Sequence, residues 1–218
     1  NVEKSVAEKH GYEVVENISY NKDATNVTSE VMKVKAADAD VVMMSSYAAD
    51  ALLFMNEYKT QNYFPKMLFG QRGGFMASDF AMNLGEGSDY VLTTSRWNSD
   101  MDNDASRQLV DMFKEKTGLT LIGDTLTSVW DGIVIAVAAN QAGSTDGAEI
   151  RKVMEEGVDV KSDEDPFGLE GYVYSGAGQN EYGRAIVLQY MGGALITVYP
   201  DSQASADIVY PAKGWNER

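Results

Sequence analysis

An α/β fold built on a doubly wound parallel sheet is what this sequence predicts. Three features carry that expectation. Short β-rich runs alternate with stretches of helical spacing, one run (Val41-Val42-Met43-Met44) is continuously apolar, and four strand-like runs have occurred by residue 94. Strands alternating with crossover helices bury their apolar faces as layers of helix on sheet.

In chain order, Val2 to Lys9 reads as the end of a helix closed by Gly11, and Tyr12 to Ile18 as a strand. From Asn26 to Ala37, Val27, Val31 and Val34 recur at the spacing of one helical face. Val41–Met44 suits a parallel strand covered on both faces. Ala48 to Lys59 is helical, with Ala51, Leu52, Met55 and Tyr58 inward. Past Pro65 come a strand over Lys66–Phe69, a brief helix over Met76–Leu84 and a strand over Tyr90–Thr94. Asp104 to Lys116 is amphipathic, with Leu109, Val110 and Phe113 inward and Gly118 as its stop. Val129 to Asn140 is an alanine-rich apolar helix, and Ser144-Thr145-Asp146 caps another over Gly147–Glu156. Asp159 to Asp165 reads as an acidic loop. Ala185–Tyr190 and Ala194–Tyr199, joined by Gly192-Gly193, form a hairpin signal.

Composition narrows the function. The chain has 218 residues, 44% hydrophobic, with 18 Lys and Arg against 33 Asp and Glu, a net charge of −15. Such an acidic surface repels phosphate backbones and anionic lipid, so no nucleic-acid partner is expected. Cysteine is absent and His10 is the only histidine, which removes thiol nucleophiles, Ser-His-Asp triads placed at the strand ends, and His/Cys zinc sites. The longest apolar run, Ile133–Ala139, falls far short of the ~20 residues that span a bilayer. Two decoys are set aside. Asp100-Met101-Asp102-Asn103-Asp104 resembles the start of a calcium loop, but Ala105 stands where the turn glycine belongs and Asp111 where a bidentate glutamate belongs. Gly176-Ala177-Gly178 opens no helix at dinucleotide-fingerprint spacing. Neither a metal nor a cofactor is called for.

An ordered set of short motifs then carries a resemblance. It runs from Gly11-Tyr12-Glu13-Val14-Val15 through Ile18-Ser19-Tyr20 and Asp23-Ala24-Thr25-Asn26, then Asp40-Val41-Val42 into Ser46-Tyr47-Ala48. Trp130-Asp131-Gly132 leads a helix ending Ala142-Gly143-Ser144-Thr145-Asp146. Gly168-Leu169-Glu170-Gly171 precedes Asn180-Glu181-Tyr182-Gly183, and the chain closes on Val198-Tyr199-Pro200 and Trp215-Asn216-Glu217-Arg218. Taken in order, these resemble the extracellular solute-binding proteins of branched-chain amino acid ABC transporters, with a type I periplasmic binding fold.

The resemblance implies two α/β lobes with a small-molecule ligand, an amino acid or small carboxylate, held between them. It also implies that much of the first lobe is missing from this chain. Residues 1–124 would be the second lobe without its first strand, 125–184 a return to the first lobe, and 185–218 antiparallel strands and a tail back on the second. The implied partners are the missing N-terminal half of the same protein and a membrane ABC permease. The implied location is periplasmic or extracellular, with a lipid anchor at the cell surface as one arrangement.

In open α/β sheets, ligands bind outside the carboxyl ends of strands. That rule selects Ser45-Ser46-Tyr47, Gly70-Gln71-Arg72-Gly73-Gly74 and Ser95-Arg96-Trp97. Ser46, Tyr47, Gln71, Arg72, Trp97 and Trp130 are the candidate ligand-binding residues, with Phe75 a lesser one. Tyr47 offers a ring to an apolar ligand body and a hydroxyl to its polar end, or else caps the strand edge. Amino-acid-binding members of the family place an acid where Gln71-Arg72 stands here. A guanidinium suits a carboxylate and cannot serve an ammonium, so the expected ligand is an organic anion unless Arg72 pairs with one of the chain's own acids. Trp97 and Trp130 either wall the cleft or pack the hinge, and Trp215 is structural. Closure on a ligand, without bond-making, is the expected mechanism. A ligand-sensing receptor domain of the same fold is the alternative. A hydrolase or transferase would need a base such as Glu57, Asp79 or Glu86, none with an evident partner.

Overall fold

The computed structural model describes residues 2–22, 24–71, 73–101, 104–158, 160 and 179–218. Helix α1 (Val2–Lys9) stops at Gly11, whose φ of +83° is open to glycine at no steric cost. Helix α2 (Thr28–Ala37) follows; the Asn26 side chain accepts from the Thr28 amide at 3.1 Å, and Val27 and Val31 are buried as the spacing predicts. Strand β1 (Val41–Met44), helix α3 (Ala48–Thr60), strand β2 (Met67–Gly70), short helices α4 (Gly73–Met76) and α5 (Ser78–Leu84), and strand β3 (Val91–Ser95) complete the alternation. Beyond it come α6 (Asp104–Thr117), α7 (Gly123–Ala142), α8 (Gly147–Glu156), β4 (Ile186–Met191) and β5 (Ala194–Tyr199). The sheet runs β1-β2-β3-β4-β5, with β1, β2 and β3 mutually parallel. The β4–β5 turn has both central residues at positive φ, Gly192 at +60° and Gly193 at +76°, the conformation a two-residue hairpin requires.

Three expectations are corrected. Tyr12–Ile18 is not a strand. A strand exists only where its backbone finds a ladder. β1 is an outer strand of the sheet, with nothing hydrogen-bonded to its free edge among the described residues, and Tyr12 and Val15 are exposed. β1 is also not covered on both faces: Val41 is 43% and Met43 53% exposed, while Val42 and Met44 pack inward. Four consecutive apolar residues do not by themselves distinguish one covered face from two. Finally, α7 begins at Gly123 instead of Val129. Its polar first turns read as loop, but the Thr127 and Ser128 hydroxyls donate back to the carbonyls of Gly123 and Asp124 and stay inside the helix. The acidic loop, apart from Val160, lies outside the described residues, as do Gly176–Gly178 and part of the calcium-like stretch.

The chain divides into two compact units. Unit 1 comprises Asn1–Thr93, Gln189–Leu195 and Ile208–Arg218. Its core gathers Val27, Val31, Phe54, Met55, Tyr58, Leu68, Phe75, Phe80, Val91 and Tyr190. Buried Gln189 donates to the carbonyls of Tyr90 and Val209 and accepts from the Val209 amide at 2.8 Å, so its amide is satisfied on both sides. Trp215 donates to the Tyr63 carbonyl, bearing out its structural reading. The Arg218 guanidinium stacks 4.0 Å from the Phe64 ring centroid and 4.2 Å from that of Trp215. Burial pushes its pKa down to about 10, which leaves it cationic at neutral pH.

Unit 2 comprises Thr94–Leu188 and Ile196–Asp207. Its core is Trp97, Leu121, Leu126, Trp130, Val134, Ala138, Val158 and Val160, with Leu109, Val110 and Phe113 of α6 packed against it. Asp146 caps α8 by accepting from the amides of Ala148 and Glu149. Asp100 accepts from the amide and hydroxyl of Thr197, at 2.7 and 2.6 Å, and so serves the fold.

Tyr58 and Tyr190 are buried in unit 1, and Tyr190 donates to the Phe75 carbonyl at 2.9 Å. Burial holds both phenols well above their ordinary pKa. The folded state therefore keeps these protons where the unfolded chain has lost them. Stability from this source is intact below about pH 10 and falls above it, by about 1.4 kcal/mol per pH unit for each tyrosine. Urea midpoints measured across this range should drop steeply, with tyrosinate absorbance appearing together with unfolding.

Candidate functional site

The carboxyl ends of β1 and β2 lie side by side in unit 1, because the register pairs Met44 with Gly70. Three turns gather there. The β1–α3 turn carries Ser45, Ser46 and Tyr47. The β2–α4 turn carries Gln71, whose amide donates to the Met44 carbonyl at 2.8 Å. The irregular segment before α2 brings in Tyr20 and Lys22.

Two glycines let these turns meet. A Cβ on Gly74 would stand 2.4 Å from the Tyr47 carbonyl carbon and 2.5 Å from its oxygen, and the Gly74 amide donates to the Ser46 carbonyl at 3.0 Å. A Cβ on Gly70 would fall within 2.1 Å of the Phe75 ring. The chain thus needs bare backbone at both positions for α4 to begin against the β1–α3 turn.

A polar cluster results. The Tyr20 hydroxyl donates to the Ser46 hydroxyl at 2.8 Å, and the Ser45 hydroxyl donates to the side-chain oxygen of Gln71 at 3.0 Å. The Tyr20 ring meets Phe54 edge-on at 4.9 Å. Asp50, in the first turn of α3, is 3% exposed. Burial raises the Tyr20 phenol above its ordinary pKa; the Ser46 hydrogen bond opposes this and the Asp50 carboxylate adds to it. Tyr47 is 68% exposed, with the Lys22 ammonium 5.4 Å from its ring centroid. The cluster offers hydroxyls, an amide, an aromatic face and a cation. Among the described residues, no group of three or more His, Asp or Glu is placed to hold a metal ion.

A family model described as periplasmic binding protein matches residues 1–194 of this chain. The chain belongs to the periplasmic binding protein family. Among curated relatives, this periplasmic binding protein is 28% identical to Leu/Ile/Val-binding protein homolog 7 of Brucella melitensis over 215 residues, 96% of the chain and 53% of the relative. It is 26% identical to homolog 8 of Brucella abortus, covering 50% of it. The chain spans about half the length of the curated relatives it matches. Its fold matches the branched-chain amino acid transporter substrate binding protein LivJ of Streptococcus pneumoniae, solved with isoleucine, at a TM-score of 0.76 and 15% identity, covering 96% of this chain and 56% of that one. An ABC transporter solute-binding protein from R. palustris, solved with benzoate, matches at 0.75 and 18%, with the same coverage. The type I periplasmic binding fold expected from the sequence is the fold of this α/β chain.

Within this periplasmic binding protein, Ser46, Tyr47 and Gln71 come together at the strand ends. Arg72 lies outside the described residues. Phe75 is fully buried beneath Gly70. Trp97 and Trp130, 1% and 0% exposed, belong to the core of unit 2, where the Trp97 indole donates to the Ser106 hydroxyl at 3.1 Å. Tyr20, Lys22 and Asp50 were not among the sequence candidates. Tyr20 sits in one of the motifs that carry the resemblance, but it follows no strand, so the strand-end rule passes over it.

Proposed function

We propose that the protein is the substrate-binding component of an ABC importer, non-catalytic, and periplasmic or extracellular, free or lipid-anchored at the cell surface. In this reading it captures an amino-acid-like or organic-anion ligand by closure of two lobes and hands it to a membrane permease. The gathering of Ser46, Tyr47 and Gln71 at the carboxyl ends of β1 and β2, in a periplasmic binding fold, is the observation that supports it most. Tyr47 supplies a ring for the ligand's apolar body, and Arg72, next in sequence to Gln71, supplies a cation for its oxyanion. Trp97 and Trp130 serve by holding the core of the unit that carries them. Residues 1–124 and 185–218 form the second lobe and 125–184 return to the first.

The same reading requires the N-terminal half of the fold as a partner in the same protein. Two features support this. The outer edge of β1 is free among the described residues beside exposed Val41 and Met43, and α7 exposes Val129 and Ile135. Surfaces of this kind are normally covered in monomeric proteins.

The test is a thermal-shift and calorimetric screen of the full-length protein against amino acids, aromatic acids and small dicarboxylates. A true ligand at a hundredfold excess over its dissociation constant stabilises by ~2.7 kcal/mol. Arg72→Ala should lose most of the affinity for an anionic ligand. Tight binding of leucine that survives Arg72→Ala sinks the organic-anion reading. A full-length protein that binds nothing and turns over an ester or amide sinks the transport reading.

A further inference from the structure

We propose that one strand, drawn from the residues just before Asn1 in the full-length protein, docks on the free edge of β1 and pairs on its far side with residues 12–18. The sheet then runs 12–18, docked strand, β1, β2, β3. The proposal rests on the reading above that the N-terminal half of the fold belongs to the same protein.

Two stretches of backbone lack a ladder. β1 pairs with β2 on one side, and Val41 and Met43 beside its other edge are exposed. Residues 12–18 alternate like a strand, yet the amides of Glu13, Val14, Val15 and Ile18 donate to no backbone carbonyl among the described residues. The carboxyl ends of the two stretches are close all the same. The Tyr20 phenol lies 3.4 Å from the Ser45 carbonyl oxygen and 2.8 Å from the Ser46 hydroxyl. A gap one strand wide accounts for both facts. It sets residues 12–18 about 9.6 Å from β1, too far for a ladder and within reach of a tyrosine side chain.

The helices say which strand fills the gap. A strand leading through α1 to residues 12–18 makes one crossover; residues 12–18 leading through α2 to β1 make the next. Because crossovers are right-handed, those that step in opposite directions along a sheet put their helices on opposite faces. Val27 and Val31 share one core with Phe54, Met55 and Tyr58 of α3, so α2 and α3 cover the same face and both crossovers step toward β2. No described residue of α1 belongs to that core, and Val6 is half-exposed. α1 therefore covers the other face, and its crossover steps away from β2. The strand that feeds α1 stands between residues 12–18 and β1.

This order changes the ligand site. In β1-β2-β3 alone every crossover steps the same way. The docked strand and β1 send their helices to opposite faces, and such a switch point is where open α/β sheets bind ligands. The crevice falls on the turn that carries Ser45, Ser46 and Tyr47, and the turn from the docked strand into α1 makes its other wall.

The experiment uses the full-length protein and engineered disulfides, since residues 1–218 contain no cysteine. A thiol is moved along the dozen or so positions before Asn1, roughly the length of a strand and its loop. Each is paired in turn with Met43→Cys, Val14→Cys or Val15→Cys. Neighbouring strands, about 4.8 Å apart, lie within the range a disulfide bridges, and strands about 9.6 Å apart lie outside it. One upstream stretch should close intramolecular disulfides with Met43→Cys and also with Val14→Cys or Val15→Cys. Met43→Cys combined with either valine variant should stay reduced. Hydrogen exchange of the unsubstituted protein is the second measurement: alternate amides over residues 13–18 should be protected at least about a hundredfold.

A disulfide from Met43→Cys directly to Val14→Cys or Val15→Cys overturns the inserted strand. Disulfide-linked dimers through Met43→Cys overturn it too, because a second copy then holds the edge. An upstream stretch that bonds one side only, or neither, overturns the shared pairing, as does unprotected exchange over residues 13–18. The transport reading fails separately, through a ligand screen in which nothing binds.

Discussion

Gly74→Ala is expected to abolish ligand binding and to lower stability by at least about 1–3 kcal/mol, the usual cost of forcing extra volume into a packed site. The added carbon would lie 2.4 Å from the carbonyl carbon of Tyr47, 2.5 Å from its oxygen and 2.7 Å from the Ala48 amide. All three are backbone atoms, so no rotamer change relieves the overlap. Either α4 or the β1–α3 turn must retreat. In both cases Ser46 and Tyr47 leave their positions beside Gln71, and the hydrogen bond from the Gly74 amide to the Ser46 carbonyl is lost with them. Gly132→Ala is the control: nothing lies within 4 Å of its would-be Cβ, and in the middle of α7 the same methyl should stabilise by about 0.5–1 kcal/mol. Chemical denaturation and calorimetry of the two variants check both results. A Gly74→Ala protein with wild-type affinity would show that the gathered turns are not the ligand site.

Trp130→Ala is expected to cost about 3–5 kcal/mol, a large fraction of a domain's net stability. The indole is 0% exposed and packs in the core of unit 2 with Trp97, Leu126, Val134 and Val158. Leu126 and Val134 are held in place by α7 itself, which limits collapse into the space it leaves. Hydrogen exchange should quicken first in α7 and α8 and later in α2 and α3, whose core is the separate cluster around Tyr58 and Phe80. Uniform quickening across all four helices would show that the units unfold as one.

Much of the fold was legible because it rests on local signals. Val27, Val31 and Val34 mark one face of α2, Gly118 and Gly143 close α6 and α7 at positive φ, Asp146 caps α8, and Gly192-Gly193 makes the hairpin. The misreadings share a physical cause: they concern pairing and cover, which depend on residues distant in sequence. Tyr12–Ile18 has the alternation of a strand but no ladder, and Val41–Met44 has the apolarity of a central strand but sits at an edge. The site divides in the same way. Ser46, Tyr47 and Gln71 follow strands and could be found by rule. Tyr20 reaches Ser46 across 26 positions from a stretch without regular structure, and no periodicity announces it.

Unit 1 is not a continuous stretch of chain, and this shapes how the protein can be made. Residues 1–93 leave the ribosome well before residues 189–218, yet Tyr190 of their core, the Gln189 tie between Tyr90 and Val209, and the stacked Trp215 and Arg218 all come from that later stretch. At ~5–20 residues per second, residues 1–93 wait roughly five to twenty-five seconds for the pieces that close their core. Until residues 189–218 are made, that core stays open to solvent and to chaperones.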